Sequence, residues 1–377
     1  MIYVILAILG ALLYYDSLSS TINGGFADRG PFHLLFIGFI VVLGYSCFRL
    51  WNKYKTIHVN RLTVYILFLL SVIVINDILK GNSLLSDLRV MYSGAWIVII
   101  VAMENIFAHL NNKKAQHFLI GMTLLFLFSV YNAYTTLNYM MNERDRIVIP
   151  CIYISLMFLP WILVTANRFY IKPTLILILM GIVALSAKRG AILAMVAAFL
   201  VYYYKKSRLE KGRIAIGKIV GIGFVSFAVL MIIDSYMGGS IASRFTSDSL
   251  ADASGRGDSN DAVIYAVLNY ATFSDVMFGF SDETRQITDF LGHNDWFSFL
   301  VTDGLVGTFF FGMFMYRVFK DSLLCRNKEF APAYASLFVM MFLQSIYSTT
   351  INPTIHPIFA MMFIGYAEGQ IRKLEKI

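Results

Sequence analysis

The feature that most constrains this chain is a succession of apolar runs, each long enough for a helix to cross a lipid bilayer. The hydrocarbon core is about 30 Å thick and requires ~20 apolar residues per helix. Only 14% of the residues are charged, against roughly 25% in soluble domains. The sequence therefore predicts an all-α polytopic membrane protein, a single integral membrane domain over residues 1–377. About twelve transmembrane helices are predicted, starting near Met1, Phe32, Leu62, Gly94, His117, Val148, Phe169, Gly190, Ile214, Asp295, Ala333 and Ile358.

The distribution of lysine and arginine predicts which helix ends face the cytoplasm, because short cytoplasmic loops carry an excess of both residues. With both termini cytoplasmic, about two-thirds of the 31 lysines and arginines fall in inner loops. The net charge of +8 is then a topology signal spread over short loops, and it does not indicate nucleic-acid binding. The outer segments keep Arg29, Lys80, Arg89, Arg144, Arg146, Lys188, Arg189, Arg244, Arg256 and Arg285.

One long loop, 238–292, lies between the ninth and tenth predicted helices and faces outward in this topology. Loops of this length are usually functional or disordered. The segment is acidic, so its arginines, Arg244, Arg256 and Arg285, are expected to have specific partners. The run 276–280 is apolar and is predicted to dock back on the helices. The alternative is a solvated acidic loop in which the arginines are incidental.

Two cations interrupt the apolar region 169–204, which is too long for one span. Basic loops on the inner side flank both ends, so the chain must cross twice, with Lys188 and Arg189 at the outer turn. The short apolar runs predict that this turn lies below the membrane surface, where an arginine or lysine costs about 2.5 to 3.5 kcal/mol. Such residues are functional by default. The alternative is that both side chains snorkel to lipid phosphates.

The stretch 292–307 begins with a polar pair and continues as an apolar helix. His293 and Asn294 are predicted at the water boundary, whereas Asp295 begins the membrane segment. A polar head group attached to a lipid would be met at this depth. His356, in a proline-containing turn, is predicted to line the same outer site. The alternative for His293 is an interfacial histidine that caps the tenth helix.

No grouping of cysteines, histidines and carboxylates has the spacing of a metal site, and the sequence predicts neither a metal nor a cofactor. Buried acids do suggest a different class of protein. Asp77, Glu104 and Asp234 fall within predicted helices, where a transporter would place a proton path. The alternatives are that Asp77 and Asp234 are merely hydrated and that Glu104 pairs with His109.

Three motifs together resemble the superfamily of O-antigen polymerases and O-antigen ligases. They are Ser186-x-x-Arg189-Gly190-Ala191 on an outer hairpin, Ser254-Gly255-Arg256 in the large outer loop, and His293-Asn294 followed by Gly304-x-x-Gly307. They lie within about a third of the chain, and the predicted twelve-helix topology is similar to that of the superfamily.

The resemblance implies a metal-independent glycosyltransferase in the bacterial cytoplasmic membrane, with its active site facing outward. Its donor and acceptor would be undecaprenyl-pyrophosphate-linked oligosaccharides. Arg189 and Arg256 would bind the donor pyrophosphate, and His293 would act at the acceptor or leaving group, as a base or as a ligand. Lys188, Arg244, Arg285, Asn294, Asp295 and His356 are the further substrate-binding candidates.

The expected reaction is polymerisation of repeat units into an O-antigen, capsule or exopolysaccharide, with a chain-length regulator and a flippase as partners. Two alternatives remain at this stage. One is an O-antigen ligase, which transfers finished polymer to lipid A core or protein. The other is a flippase or transporter of lipid-linked oligosaccharides.

Overall fold

The structure, a computed structural model, is a bundle of α-helices. It describes residues 2–22, 30–80, 88–143, 152–165, 171–186, 188–211, 271–280, 295–347 and 356–375, with single positions between 217 and 269. These residues contain no β-strand. The helices are α1 (Ile2–Ile22), α2 (Gly30–Tyr54), α3 (Arg61–Leu79), α4 (Leu88–His109), α5 (Asn112–Glu143), α6 (Ile152–Met157), α7 (Leu159–Val164), α8 (Ile171–Leu185), α9 (Arg189–Lys211), α10 (Phe273–Phe278), α11 (Asp295–Leu324), α12 (Ala331–Tyr347) and α13 (His356–Glu375).

Five helices in the described residues are long and apolar enough to cross a membrane, which confirms an all-α membrane protein. They are Pro31–Tyr54, Arg61–Leu79, Val90–His109, Asn112–Thr136 and Asp295–Leu324. Shorter apolar helices lie at Ile2–Tyr15, Ile152–Val164, Ile171–Leu185 and Ala331–Tyr347. The total of twelve spans and the direction of the chain across the membrane stay predictions. Most of the predicted ninth segment and of the loop 238–292 lies outside the described residues.

The two ends of the bundle differ in charge. At one end, Lys373 donates to the Leu110 carbonyl at 2.5 Å, and Lys205 donates to the carbonyls of Ser322 and Leu323. We call this the Arg372 end. It also carries Lys53, Lys55, Arg61, Lys113, Lys114, Lys172, Lys206, Arg208, Lys211, Arg317, Lys320, Arg326 and Lys328. Lys80, Lys188 and Arg189 are on the opposite side, which we call the Gly304 end.

Helix α11 is broken at Gly304, whose backbone (φ 64°, ψ −161°) is not helical. A straight helix of 30 residues would be ~45 Å long, too long for the hydrocarbon core. Instead the first limb, 295–303, folds back on the second limb, 305–324. Trp296 contacts Phe311 with ring centroids 5.0 Å apart, and a Cβ on Gly312 would lie 3.7 Å from the Trp296 ring. The second limb alone is ~30 Å long, enough to cross the membrane.

The break exposes the carbonyls that end the first limb, and three other groups satisfy them. The Phe280 amide donates to the Val301 carbonyl at 2.8 Å. From α3, the Lys80 ammonium donates to the Thr302 carbonyl. The Asn76 amide donates to the Asp303 carbonyl at 3.4 Å and to its carboxylate at 3.3 Å. Buried backbone groups without partners are costly in a bilayer, so these donors make the corner at Gly304 possible.

The short helix α10 docks on this corner. Thr272 and Asp275 form a capping box at its start, and Gly279 ends it with φ 87°. A Cβ on Gly279 would collide with the Thr302 backbone, and one on Gly304 would collide with the Met277 backbone. The two glycines therefore allow direct contact between the two main chains. The predicted return of 276–280 to the bundle is confirmed.

Three acidic side chains, Glu104, Asp77 and Asp234, are buried, which differs from the alternatives of a hydrated Asp77 and Asp234 and a Glu104 paired with His109. Glu104 is buried and forms ion pairs with His58 and with Arg372 (3.6 Å), not with His109. His109 Nδ1–H instead donates locally to the Asn105 carbonyl at 2.9 Å, because its ring lies a turn beyond Glu104 and stacks on Tyr54. Asp77 is 2% exposed rather than hydrated, because α11 covers the end of α3. Asp234 is also buried.

Candidate active site

Lys188 and Arg189 begin α9 at the Gly304 end of the bundle. Helix α8 ends at Leu185, where the buried Ser186 hydroxyl bonds back to the Val183 carbonyl at 2.6 Å. The Lys188 carbonyl accepts the first α9 hydrogen bond, from Ile192, at 3.1 Å. Both cations are half-buried. They therefore sit at the amino end of a helix, where the backbone N–H groups and the helix dipole add positive potential.

Two tyrosines, Tyr153 and Tyr347, pack beside the start of α9. The Lys188 ammonium lies 4.9 Å from the centre of the Tyr153 ring of α6. A Cβ on Gly190 would lie 2.8 Å from Tyr347 Cβ and 3.5 Å from the Tyr153 hydroxyl. Glycine at position 190 thus lets α9 and α12 approach closely beside Arg189. This contact gives a packing reason for the glycine of the predicted Arg189-Gly190 motif.

The first limb of α11 reaches the same region through Trp296. Its indole Nε1 donates to the Ser345 hydroxyl of α12 at 3.1 Å, one half-turn from Tyr347. Asp295, the neighbour of Trp296, is 1% exposed. We call Tyr153, Lys188, Arg189, Asp295, Trp296 and Tyr347 the Arg189 cluster.

The Arg189 cluster lies deeper in the bundle than the Gly304 corner. Trp296 is level with Gly312 of the second limb, which is ~12 Å along the helix from Gly304. Helix α8 has 15 residues and is ~22 Å long, short of the ~30 Å hydrocarbon core. The depth of Lys188 and Arg189 relative to the membrane surface stays a prediction.

Two of the predicted site residues, Lys188 and Arg189, lie together in the structure, and Asp295 is buried at the start of α11 beside Trp296. His356 begins α13, but its side chain lies outside the described part of the chain. Three neighbouring residues, Tyr153, Ser345 and Tyr347, were not predicted from the sequence. Uncharged residues of these types are common in membrane helices, so hydropathy did not distinguish them. The other candidates lie outside the described residues: Arg244, Arg256, Arg285, His293 and Asn294.

Other polar features lie away from this cluster. A cleft of about 490 Å³ at the Arg372 end is lined by Asp321, Cys325, Arg326 and Glu368, among others. Within the described ranges, no three His, Cys, Asp or Glu side chains group closely enough to hold a metal ion. Lys188 and Arg189 give the Arg189 cluster two positive charges against the one carboxylate of Asp295, so an anionic ligand suits it.

No known protein family matches the chain, and no curated protein matches it.

Proposed function

We propose that this protein polymerises undecaprenyl-pyrophosphate-linked oligosaccharide repeat units at the outer face of a bacterial cytoplasmic membrane. The observation that carries the proposal is the placement of Lys188 and Arg189 at the amino end of α9, beside Tyr347 and below the Gly304 corner. Cations held at this depth suit a phosphate ester that is anchored in the lipid. The proposed orientation, with the Arg372 end cytoplasmic, follows from the excess of lysine and arginine there.

The proposed chemistry is a single displacement at the anomeric carbon of the donor sugar. The acceptor hydroxyl forms a new glycosidic bond, the bond from the anomeric carbon to pyrophosphate breaks, and undecaprenyl pyrophosphate leaves. Negative charge develops on the leaving oxygen, so fixed positive charge is needed there. A guanidinium offers two parallel donors and remains protonated when desolvated, which is the role we assign to Arg189.

The remaining predicted residues complete the proposal from segments outside the described residues. Arg256 would hold the pyrophosphate together with Arg189. His293 would accept the proton of the attacking hydroxyl or bond to a phosphate, and Asn294 would lie beside it. Arg244 and Arg285 would bind the acidic parts of the two substrates. These roles rest on the motif resemblance and on the chemistry of each side chain.

A transporter of lipid-linked oligosaccharides is the second candidate, and the broken helix α11 favours it. Transporters place discontinuous helices and buried acids at their substrate and ion sites, and Asp303 beside Asn76 is such an acid. However, the Lys80 ammonium already bonds to the Thr302 carbonyl, at the helix end where a transporter would coordinate a cation. We therefore assign the corner at Gly304 a structural role and not a transport role.

A deletion strain separates the candidates. A polymerase predicts surface glycan that carries a single repeat unit, and a ligase predicts lipid-linked polymer that is never attached. A transporter predicts repeat units trapped on the inner leaflet. Complementation with the wild-type gene should restore long glycan chains. A gene that encodes Arg189→Lys should not restore them, although the variant protein should still reach the membrane. Either of the other two glycan patterns would overturn the proposal.

A further inference from the structure

Gln344 of α12 is a buried amide that has no hydrogen-bond partner among the described residues. It is 1% exposed, and neither its Nε2 nor its Oε1 bonds to any described residue. Burying an amide without partners costs about 1 to 3 kcal/mol in proteins. Gln344 leaves two such atoms open, whereas Ser336 on the same helix leaves one hydroxyl, and this larger cost points to a partner beyond the described residues.

The position of Gln344 ties it to the Arg189 cluster. Ser345, the next residue, accepts the hydrogen bond from Trp296. Tyr347, three residues on and therefore on the same helix face, packs on Gly190 beside Arg189. Gln344 is one turn deeper than Tyr347, or ~4.5 Å along the axis. A ligand that reaches the contact between Tyr347 and Gly190 is thus about one helical turn from Gln344.

The two open atoms of Gln344 define the chemistry of this partner. A phosphate has only acceptor oxygens at neutral pH, so it would satisfy Nε2 and leave Oε1 facing negative charge. A sugar hydroxyl both donates and accepts, and two neighbouring hydroxyls satisfy both atoms of one amide. We propose that Gln344 binds hydroxyl groups of the sugar next to the pyrophosphate. This inference rests on the proposed function and adds a specificity-determining residue to it.

The test measures binding to purified protein with two separate probes. The first is the free oligosaccharide, released by mild acid from the lipid-linked repeat units that the deletion strain accumulates. The second is inorganic pyrophosphate. Gln344→Met keeps the length of the side chain but removes both hydrogen-bonding atoms. Ser336→Ala is the matched control, because Ser336 is equally buried on α12 and its hydroxyl also lacks a partner among the described residues, two turns away.

We expect Gln344→Met to weaken oligosaccharide binding about tenfold, the loss of two neutral hydrogen bonds, and to leave pyrophosphate binding unchanged. In the transfer assay, KM should rise more than kcat falls. Ser336→Ala should change neither probe. Both variants should melt at or above the wild-type temperature, since each removes a buried polar group. Unchanged oligosaccharide binding by Gln344→Met, or an equal loss of both probes, would overturn the inference.

The same data separate this inference from the proposed function. Wild-type protein that binds the oligosaccharide through Gln344 but transfers nothing would refute the polymerase and leave the sugar site standing. Wild-type protein that polymerises repeat units with no dependence on Gln344 would refute the sugar site alone. Protein that binds neither probe and transfers nothing would refute both.

Discussion

Phe299 and Phe311 stack with their ring centroids 4.8 Å apart, although a continuous helix would separate them by ~18 Å. The two rings belong to opposite limbs of α11, so their contact shows that the chain reverses direction at Gly304. Gly307 lies inside the hairpin, and a Cβ there would collide with Asp303. The spacing Gly304-x-x-Gly307 thus has a steric basis, with one glycine at the corner and one where the limbs meet.

The first prediction is that Gly304→Ala destabilises the protein. Its backbone conformation is available essentially to glycine alone, and strain of this kind costs about 1 to 3 kcal/mol. The added Cβ would also strike the Met277 backbone. Melting of the purified variant in detergent should occur at a clearly lower temperature. Gly181→Ala is the control, because nothing lies within 4 Å of a Cβ there, and it should be neutral or stabilising.

The second prediction concerns the contact between α4 and α13. Gly365 and Gly369 are one turn apart, and a Cβ on Gly365 would lie 2.6 Å from the Ile100 carbonyl oxygen. Small residues at this spacing let membrane helices approach closely. Gly369→Ala should push the helices apart and cost about 1 to 3 kcal/mol, as overpacking does. Gly44→Ala is the control, because nothing lies within 4 Å of a Cβ at this position of α2, and its melting temperature should equal that of the wild type. Equal melting temperatures for Gly369→Ala and Gly44→Ala would contradict this account.

The third prediction concerns Arg189. If this side chain only anchors a turn to lipid phosphates, lysine should replace it well, because an ammonium also binds phosphate. If Arg189 binds the donor pyrophosphate through two hydrogen bonds, lysine cannot form both. Arg189→Lys should then lower the transfer rate about 100- to 1,000-fold. The assay is the product ladder from lipid-linked repeat units. Lys188→Ala should cost less, and an Arg189→Lys rate above about a tenth of wild type would favour the anchoring role.

The fourth prediction concerns orientation. In a background without native cysteines, Asp252→Cys and Asp282→Cys should react with a membrane-impermeant maleimide in whole cells. Lys211→Cys should react only after the cells are opened, because the basic Arg372 end is expected on the cytoplasmic side. Reversed labelling would place the loop 238–292 inside the cell and would remove the outward-facing site from consideration.

The fifth prediction concerns Cys325, which follows the end of α11. Burial raises the pKa of its thiol, and Glu368 and Asp321 raise it further, while the Asn327 backbone and Lys205 oppose them. The thiolate is the reactive form, so a higher pKa means less thiolate at a given pH. In a Cys47→Ser, Cys151→Ser background, alkylation by iodoacetamide should be slower than in denatured protein and should keep rising above pH ~8.5. A native profile that levels off before the denatured one would contradict this assignment.

The membrane class and most helix positions could be predicted from the sequence, because hydropathy is a local property. The reversal of α11 was missed, because apolar residues resume directly after Thr302-Asp303-Gly304 and hydropathy treats the whole stretch as one span. Its cause lies in Asn76 and Lys80, more than 200 residues earlier in the chain. The same limit explains Glu104, whose partners His58 and Arg372 come from distant segments, whereas the expected partner His109 was only the nearest in sequence.

The site residues Lys188 and Arg189 could be predicted from the sequence, because charged side chains are rare and costly in apolar segments. Tyr153, Ser345 and Tyr347 gave no such signal, since uncharged polar residues are common in membrane helices. Their roles follow only from which helices meet, and the meeting of α9 with α12 is a tertiary property.

The hydrogen bonds from α3 to the corner of α11 also have a consequence for biosynthesis. Asn76 and Lys80 leave the ribosome long before their acceptors, which follow 227 and 222 residues later. Until α11 emerges, the polar end of α3 has no protein partner at that corner and must stay in contact with water. A nascent chain released before residue 295 would therefore contain an α3 that cannot form these contacts with α11.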